Sequence, residues 1–293
     1  MPQEKITAAA EDAKELADAQ NEYVAPANPL QDIALCLSGG GFRAASFSLG
    51  VLSYLDKIKI KHKAEEKERS LLESVKFITS TSGGSITNAF YSVAVYRQNS
   101  FADFYKQMKR NLEGEGLLKD AFTILKDDTQ WTEEGVLVDD KGVKTIIRKQ
   151  RNLINAFAKS YDKRLINSPT LSVITGANSD KSVKPPHLEE IAFNTTEFNN
   201  GLPFYIQANG HNGYVRYMGN GYLKFTDTDV VKQLKISDLV ASSSCFPGGF
   251  EPMLYPYDFV HQSNTDVNAL LKGMEYGYND PGEVCKVKNQ PFS

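Results

Sequence analysis

A serine between small residues, Ser82, is the side chain in this sequence best placed to act as a nucleophile. It follows the β-branched and aromatic run 75–79, which predicts a buried strand. Gly83 and Gly84 come next, and an apolar helical pattern begins directly after them. A strand, a tight turn with serine at its tip and a helix form the layout of a nucleophile elbow. The usual pattern is Gly-x-Ser-x-Gly, and Ser80 here takes the place of the first glycine.

The alternative interpretation of Ser82 is structural, because serine is also a common turn residue and helix N-cap. The elbow pattern alone does not decide between the two interpretations, since short motifs also match by chance. The residues that surround Ser82 in the folded protein must therefore distinguish a nucleophile from a structural serine.

A second glycine-rich turn follows the continuous apolar run 33–37, which predicts another strand. The turn consists of Ser38, Gly39, Gly40, Gly41, Phe42 and Arg43, and leucines at helical spacing follow it. A turn of this kind at the start of a helix presents backbone N–H groups to an anion. The anion could be a nucleotide phosphate, although neither common phosphate-binding glycine pattern is present at this turn. It could instead be the oxyanion that develops on a carbonyl oxygen, or the turn could be purely structural.

Two strand–turn–helix units in succession predict an α/β fold with a mostly parallel central sheet. Ligands of such sheets bind beyond the carboxyl ends of the strands. Both glycine-rich turns fall at those ends, so we expect them to form one site together with Ser82.

Composition and charge argue against several classes of protein. The chain has 293 residues and a net charge of -3, so its bulk charge gives no reason to expect nucleic acid as a partner. Three cysteines, Cys36, Cys245 and Cys285, have no paired spacing, which predicts free thiols, with Cys36 buried in its strand. The four histidines are scattered, so no metal site and no cofactor are expected. Neither a signal peptide nor a membrane-spanning run is present, which predicts a cytoplasmic protein that is at most peripheral at a membrane surface.

The rest of the chain supplies a framework. Residues 1–29 are predicted to form an N-terminal helix and linker, and residues 30–293 one α/β domain. A mostly helical insertion at about 100–165, with a hairpin inside it, would serve as a lid or as scaffold. Beyond it we predict strands at 171–175, 190–194 and 203–208, an irregular loop at 209–225, and short helices at 229–239 and 267–274.

Together, these motifs resemble the patatin-like phospholipases. The first block of the resemblance is the glycine-rich turn with the helix after it, and the second is the serine elbow. A third block is a run of small residues followed by a proline turn. The matching segments are 38–45, 49–52, 81–84, 193–196, 201–204, 241–247 and 250–252, in the family's order.

The resemblance implies a three-layer α/β/α fold and a phospholipase A-like acyl hydrolase that cleaves lipid esters through a Ser–Asp dyad without histidine. Ser82 would attack the ester carbonyl, and an aspartate would be the general base. Backbone N–H groups around Gly39, Gly40, Gly41 and Phe42 would hold the oxyanion, with Arg43 beside them.

The sequence departs from the family at the aspartate, which the family carries in an Asp-Gly block after the third motif. No Asp-Gly dipeptide occurs in these 293 residues. Asp258, Asp266 and Asp280 are available, but none has a matching context. We therefore expect the chain to stop short of the base, either as a fragment or as one half of a nicked protein, and in the second case a second polypeptide would carry the Asp-Gly block. Two alternatives are a non-catalytic module that binds lipid or a partner, and a nucleotide-binding protein.

Overall fold

The computed structural model describes residues 30–61, 68–113, 116–167, 169–176, 186–261 and 265–276. The predicted N-terminal helix and linker, Cys285 and Asp280 lie outside these residues.

A mixed seven-stranded sheet forms the centre of the molecule, with the order β1-β4-β7-β8-β9-β10-β12. Strands β1, β4 and β7 are parallel, and β8, β9, β10 and β12 continue the sheet in antiparallel pairs. The strands are β1 (Ile33–Leu37), β2 (Lys59–Ile60), β3 (Arg69–Ser70), β4 (Val75–Thr81), β5 (Glu134–Val138), β6 (Lys144–Arg148), β7 (Glu190–Glu197), β8 (Leu202–Asn209), β9 (Tyr214–Gly219), β10 (Leu223–Phe225), β11 (Thr265–Asp266) and β12 (Met274–Tyr276).

Helices flank this sheet, which confirms the predicted α/β layering. The α-helices are α1 (Gly41–Lys57), α2 (Gly83–Tyr96), α3 (Phe101–Leu112), α4 (Gly116–Lys126), α5 (Leu153–Tyr161), α6 (Ser172–Thr175), α7 (Thr228–Lys232), α8 (Ile236–Ser244) and α9 (Val267–Leu271). Helix α2 is buried along almost its whole length, including its polar residues Ser85, Thr87, Asn88 and Ser92. It is therefore the central helix of the fold, and Ser82 immediately precedes it.

Three predictions from local pattern were wrong. Of the strand predicted at 171–175, residues 172–175 form helix α6, and 209–225 contain strands β9 and β10 instead of a loop. The single helix predicted at 229–239 is divided into α7 and α8. The division arises because Lys235 pairs with Thr170 in an isolated bridge, and Leu234 accepts a backbone hydrogen bond from Leu171 at 2.9 Å.

Cys36 was predicted to be buried and is exposed. A continuous apolar run is typical of a parallel strand covered on both faces. Ala34 and Cys36 alternate along β1 with the less exposed Ile33, Leu35 and Leu37, so they lie on one face of the strand, which the described residues leave uncovered. Strand β1 is also the end strand of the sheet in the described part of the chain.

The segment predicted to be an insertion contains helices α3, α4 and α5, and the predicted hairpin is confirmed as the antiparallel pair β5–β6. A buried ion pair joins the hairpin to helix α8. The Nζ of Lys149 lies 2.6 Å from Oδ1 of Asp238, and the two side chains are 5% and 2% exposed.

Replacing Lys149 by methionine should lower the free energy of unfolding by roughly 3–5 kcal/mol, because it leaves the Asp238 carboxylate buried without its cation. Urea unfolding monitored by circular dichroism measures the change. The double variant Lys149→Met/Asp238→Leu should recover most of the loss, since neither charge remains. Lys224→Ala, which breaks an exposed pair with Glu275, is the control and should cost about 0–1 kcal/mol. Equal losses for Lys149 and Lys224 would contradict the assignment.

Candidate active site

Ser82 occupies a strained backbone position between strand β4 and helix α2. Its φ is 52° and its ψ is -121°, a region that non-glycine residues rarely adopt. Such a conformation costs on the order of 1–3 kcal/mol and persists only where the surroundings impose it. Ser82 stands at the N-cap position of α2, yet its side chain makes no capping hydrogen bond. The side chain of Ser82 therefore does not cap α2, and the nucleophile role of Ser82 stays a prediction.

The two glycine-rich turns are in direct backbone contact, as predicted from their position at the carboxyl ends of β1 and β4. A methyl group on Gly83 would overlap the carbonyl oxygen of Gly41 and lie 2.8 Å from its carbonyl carbon. One on Gly84 would lie 2.8 Å from the carbonyl oxygen of Ser38. One on Gly39 would lie 3.2 Å from Cβ of Ser82. Only glycines allow this approach, which places the start of α1 beside the serine.

Helix α1 begins at Gly41, so the N–H groups of Gly41, Phe42 and Arg43 belong to its first turn and have no partner within the helix. Gly40 caps this helix with φ 135° and no side-chain hydrogen bond, and the first turn has no acidic residue. The ring of Phe42 packs 6.2 Å from that of Phe157 on α5, which anchors the turn, while Arg43 is exposed. This geometry suits an anion, and the oxyanion role of residues 39–43 stays a prediction.

A chain of hydrogen-bonded, buried hydroxyl groups begins at the backbone N–H of Ser82. The backbone N–H of Ser82 donates to Oγ of Ser243 at 2.9 Å, and Ser243 donates to the carbonyl oxygen of Asn194 at 2.6 Å. Because that hydroxyl proton is used, Ser85 must be the donor in its 2.9 Å contact with Ser243. Ser85 in turn lies 3.0 Å from Oγ of Ser80.

Ser80, which replaces the first glycine of the usual elbow pattern, belongs to this hydroxyl chain. Its side chain is buried, receives a hydrogen bond from Nδ2 of Asn88 at 2.9 Å, and lies 3.3 Å from the carbonyl oxygen of Ala192. The serine at this position, where the usual pattern has glycine, is therefore accommodated by its hydrogen bond with Asn88 and not by empty space.

No described carboxylate or imidazole hydrogen-bonds to the hydroxyl of Ser82. His187 contacts the hydroxyl of Tyr91 at 2.9 Å, and Asp266 caps helix α9. Asp258 is fully buried, and its carboxylate accepts from the N–H groups of Leu254 and Gln150 and from the side-chain amide of Asn155. Burial raises the pKa of Asp258 despite these donors. Asp258 and Asp266 thus stabilise other parts of the fold. Asp280, the third available aspartate, lies outside the described residues.

A cavity of about 470 Å³ opens beside the elbow. Thr81, Asn194 and Ser243 line its near end, and most of the remaining lining is apolar. Pattern reasoning from the sequence missed both this cavity and the hydroxyl chain. The only sequence feature that pointed to the hydroxyl chain was the run of small residues 241–245. This run contains Ser243, which accepts the hydrogen bond from the backbone N–H of Ser82.

The structure is thus an α/β protein whose strained serine packs against a glycine-rich helix start, which is the geometry of a nucleophile elbow. A family model described as patatin-like phospholipase matches residues 35–265, well over half of the chain. The chain belongs to the patatin-like phospholipases. Membership supports lipid acyl hydrolysis, in general terms, as its activity and lipid esters as its substrates.

No curated protein and no solved structure gives a significant match to this chain. Within the described residues, none of the helices has both the length and the apolar character needed to span a lipid bilayer.

Proposed function

We propose that this protein is a phospholipase A-like acyl hydrolase in which Ser82 is the nucleophile and an aspartate is the general base. The observation that carries the proposal is the strained Ser82, held against the first turn of α1. Strained backbone of this kind is concentrated at functional sites.

In the first half of the reaction, Oγ of Ser82 bonds to the ester carbonyl carbon as its proton passes to the aspartate. The carbonyl oxygen becomes an oxyanion, which the N–H groups at residues 39–42 would stabilise. Collapse breaks the bond to the leaving alcohol, which takes the proton and leaves an acyl-enzyme. Water then attacks the acyl-enzyme with the same aspartate as base, and the fatty acid and free Ser82 are released.

Within the described residues one edge of β1 has no paired strand, and this edge offers a place for the segment that carries the base. Strand β1 has the continuous apolar sequence of a central strand, yet it ends the sheet in the described residues. A strand added parallel to β1 would end beside Gly39 and Gly40, because carboxyl ends of parallel strands lie at one edge. We propose that a polypeptide bearing the Asp-Gly block pairs here, and that the assembly meets lipid from the aqueous side of the membrane.

Labelling with an alkyl fluorophosphonate, which modifies activated serines, tests the proposal. With the polypeptide that carries the Asp-Gly block present, mass spectrometry should locate the label on Ser82, and Ser82→Ala should abolish it. Ser46→Ala, which changes an exposed serine of α1 outside both turns, should be labelled like the wild type. Hydrolysis of phosphatidylcholine vesicles should require the polypeptide with the Asp-Gly block. Labelling at another residue, or equal labelling of the Ser82→Ala variant, would overturn the assignment.

A second candidate is a non-catalytic module that binds lipid or a partner protein. It is favoured by the lack of any described carboxylate or imidazole bonded to the Ser82 hydroxyl. This function predicts vesicle binding unaffected by Ser82→Ala, and no ester hydrolysis under any of the conditions above.

A further inference from the structure

A second cavity, of about 250 Å³, lies at the end of helix α2 that is far from the elbow. Ser82 precedes the first residue of α2, whereas Ala94 and Val95 in its last turn line this cavity. At a rise of 1.5 Å per residue, Val95 lies about 20 Å along the helix from Ser82. The cavity is therefore separate from the proposed active site.

Two carboxylates line this second cavity without a cation to pair with. Asp56 lies in the last turn of α1, and Glu73 lies two residues before strand β4. Within the described residues, neither carboxylate has an ion pair or accepts a hydrogen bond, and no lysine or arginine lines the cavity. Lys59 donates to the backbone carbonyl oxygen of Asp56 at 3.0 Å and not to its carboxylate.

The hydroxyl of Tyr91 lies close to both carboxylates. Burial raises the pKa of Tyr91, and the negative charges of Asp56 and Glu73 raise it further. The same hydroxyl lies 2.9 Å from Nε2 of His187, which also lines the cavity. A cation in the cavity would therefore find two carboxylates in the same neighbourhood.

Ser70 adds a buried hydroxyl that has no partner within the described residues. This residue of β3 lines the cavity, is 3% exposed and makes no side-chain hydrogen bond to the described part of the chain. Buried polar groups in native proteins are almost always hydrogen-bonded, to the protein, to water or to a ligand. The unused hydroxyl of Ser70 therefore indicates that a polar molecule completes this site.

The ends of three helices also affect the charge at the cavity. Helix α2 has no basic residue in its last turn, and Asp56 lies in the last turn of α1. The C-terminus of a helix carries partial negative charge, which disfavours an acidic residue there and favours a cation. Helix α3 begins at Phe101 on the cavity wall, but Ser100 caps this positive end and Asp103 lies in its first turn. The cavity as a whole therefore favours a positively charged ligand.

Aromatic rings form another part of the wall. Phe101, Phe104 and Tyr91 contact one another, with ring centroids 5.2, 5.4 and 6.3 Å apart. Aromatic rings pack against methylene groups and attract cations to their faces. Among the described residues, no three of His, Cys, Asp and Glu lie together as the ligands of a metal ion would. An organic cation matches this wall better than a metal ion does.

We propose that this cavity binds a small alkyl diamine, whose protonated amino groups pair with the carboxylates of Asp56 and Glu73. An ammonium group donates up to three hydrogen bonds, so the hydroxyl oxygen of Ser70 can accept one of those that remain. The methylene groups of the ligand lie against Phe101 and the other rings. This binding is independent of any reaction at Ser82.

Isothermal titration calorimetry of the full chain with putrescine, butane-1,4-diamine, tests the site. The titration is made in 0.15 M salt, because exposed charges further apart than about 8 Å are then largely screened. We expect saturable binding at one site per chain. Butylamine, which has one charge, should bind about tenfold more weakly, and butane-1,4-diol, which has none, should not bind.

Two charge variants locate the site. Asp56→Asn and Glu73→Gln each remove one charge with little change in shape, and each should weaken putrescine binding about tenfold or more. Ser70→Ala should have a smaller effect, of about three- to tenfold. Asp140→Asn is the matched control, since Asp140 is an exposed acid in the turn between β5 and β6, and it should bind putrescine like the wild type.

The outcomes that would overturn the site are distinct. They are no putrescine binding to the wild type, or equal affinity in the wild type and both charge variants. Tighter binding of Nα-acetyl-lysine methylamide than of putrescine would assign the cavity to a lysine of a partner protein. Displacement of putrescine by an equal concentration of Mg²⁺ would assign it to a metal ion. Either of these two results would also contradict the diamine site.

Discussion

Replacement of Gly83 by alanine is expected to slow fluorophosphonate labelling of Ser82 by about a hundredfold, the effect of misplacing a reacting group by roughly 1 Å. The added methyl group would overlap the backbone carbonyl of Gly41. Neither side can yield easily, because Gly83 begins the buried helix α2 and Gly41 begins α1. The first turn of α1 must therefore move away from Ser82, and the proposed oxyanion site moves with it.

The control for Gly83 is Gly50, which lies exposed within α1 with no atom near its missing side chain. Gly50→Ala should leave labelling unchanged and stabilise the protein by about 0.5–1 kcal/mol, because alanine favours the helix. Gly83→Ala should instead lower stability by about 1–3 kcal/mol, as overpacking does. Labelling rates are compared by gel fluorescence, and stability by urea unfolding. If a folded Gly83→Ala variant were labelled at the wild-type rate, the contact between the two turns would have no effect on the reactivity of Ser82.

The contact tested by Gly83 could be anticipated from the sequence because it follows from local pattern and sheet geometry. Each apolar run predicts a strand, each glycine-rich stretch predicts a turn, and parallel strands bring both turns to one edge. The structure adds the identity of the contacts, such as Gly83 against Gly41.

Features that depend on distant pairing could not be predicted in this way. Cys36 has the sequence context of a buried strand residue, but its exposure depends on whether another part of the protein covers its face of β1. The ion pair between Lys149 and Asp238 joins residues 89 positions apart in the sequence. No spacing rule connects them, since the contact depends on how the segment after β6 lies against α8.

The hydroxyl chain under the elbow is the most consequential feature of this kind, because Ser243 lies 161 positions from Ser82. We expect Ser243→Ala to reduce the labelling rate of Ser82 by about ten- to a hundredfold, since the amide of a strained residue loses its acceptor and Ser82 can leave its productive position. The variant also leaves the N–H of Ser82 and the carbonyl of Asn194 unsatisfied, which should cost about 1–3 kcal/mol of stability.

Two variants separate a positioning role of Ser243 from a purely structural one. Ser242→Ala changes the neighbouring serine, whose hydroxyl only bonds back to the carbonyl oxygen of Leu239 within α8, and should have little effect on labelling. Ser243→Thr keeps a hydroxyl at the same site and should recover most of the labelling rate. With a short ester substrate, loss of positioning should lower kcat while KM stays nearly constant, because the Ser82 amide acts on the geometry of attack and not on substrate binding. If the Ser243→Ala variant loses stability but keeps the wild-type kcat, the role of Ser243 is purely structural.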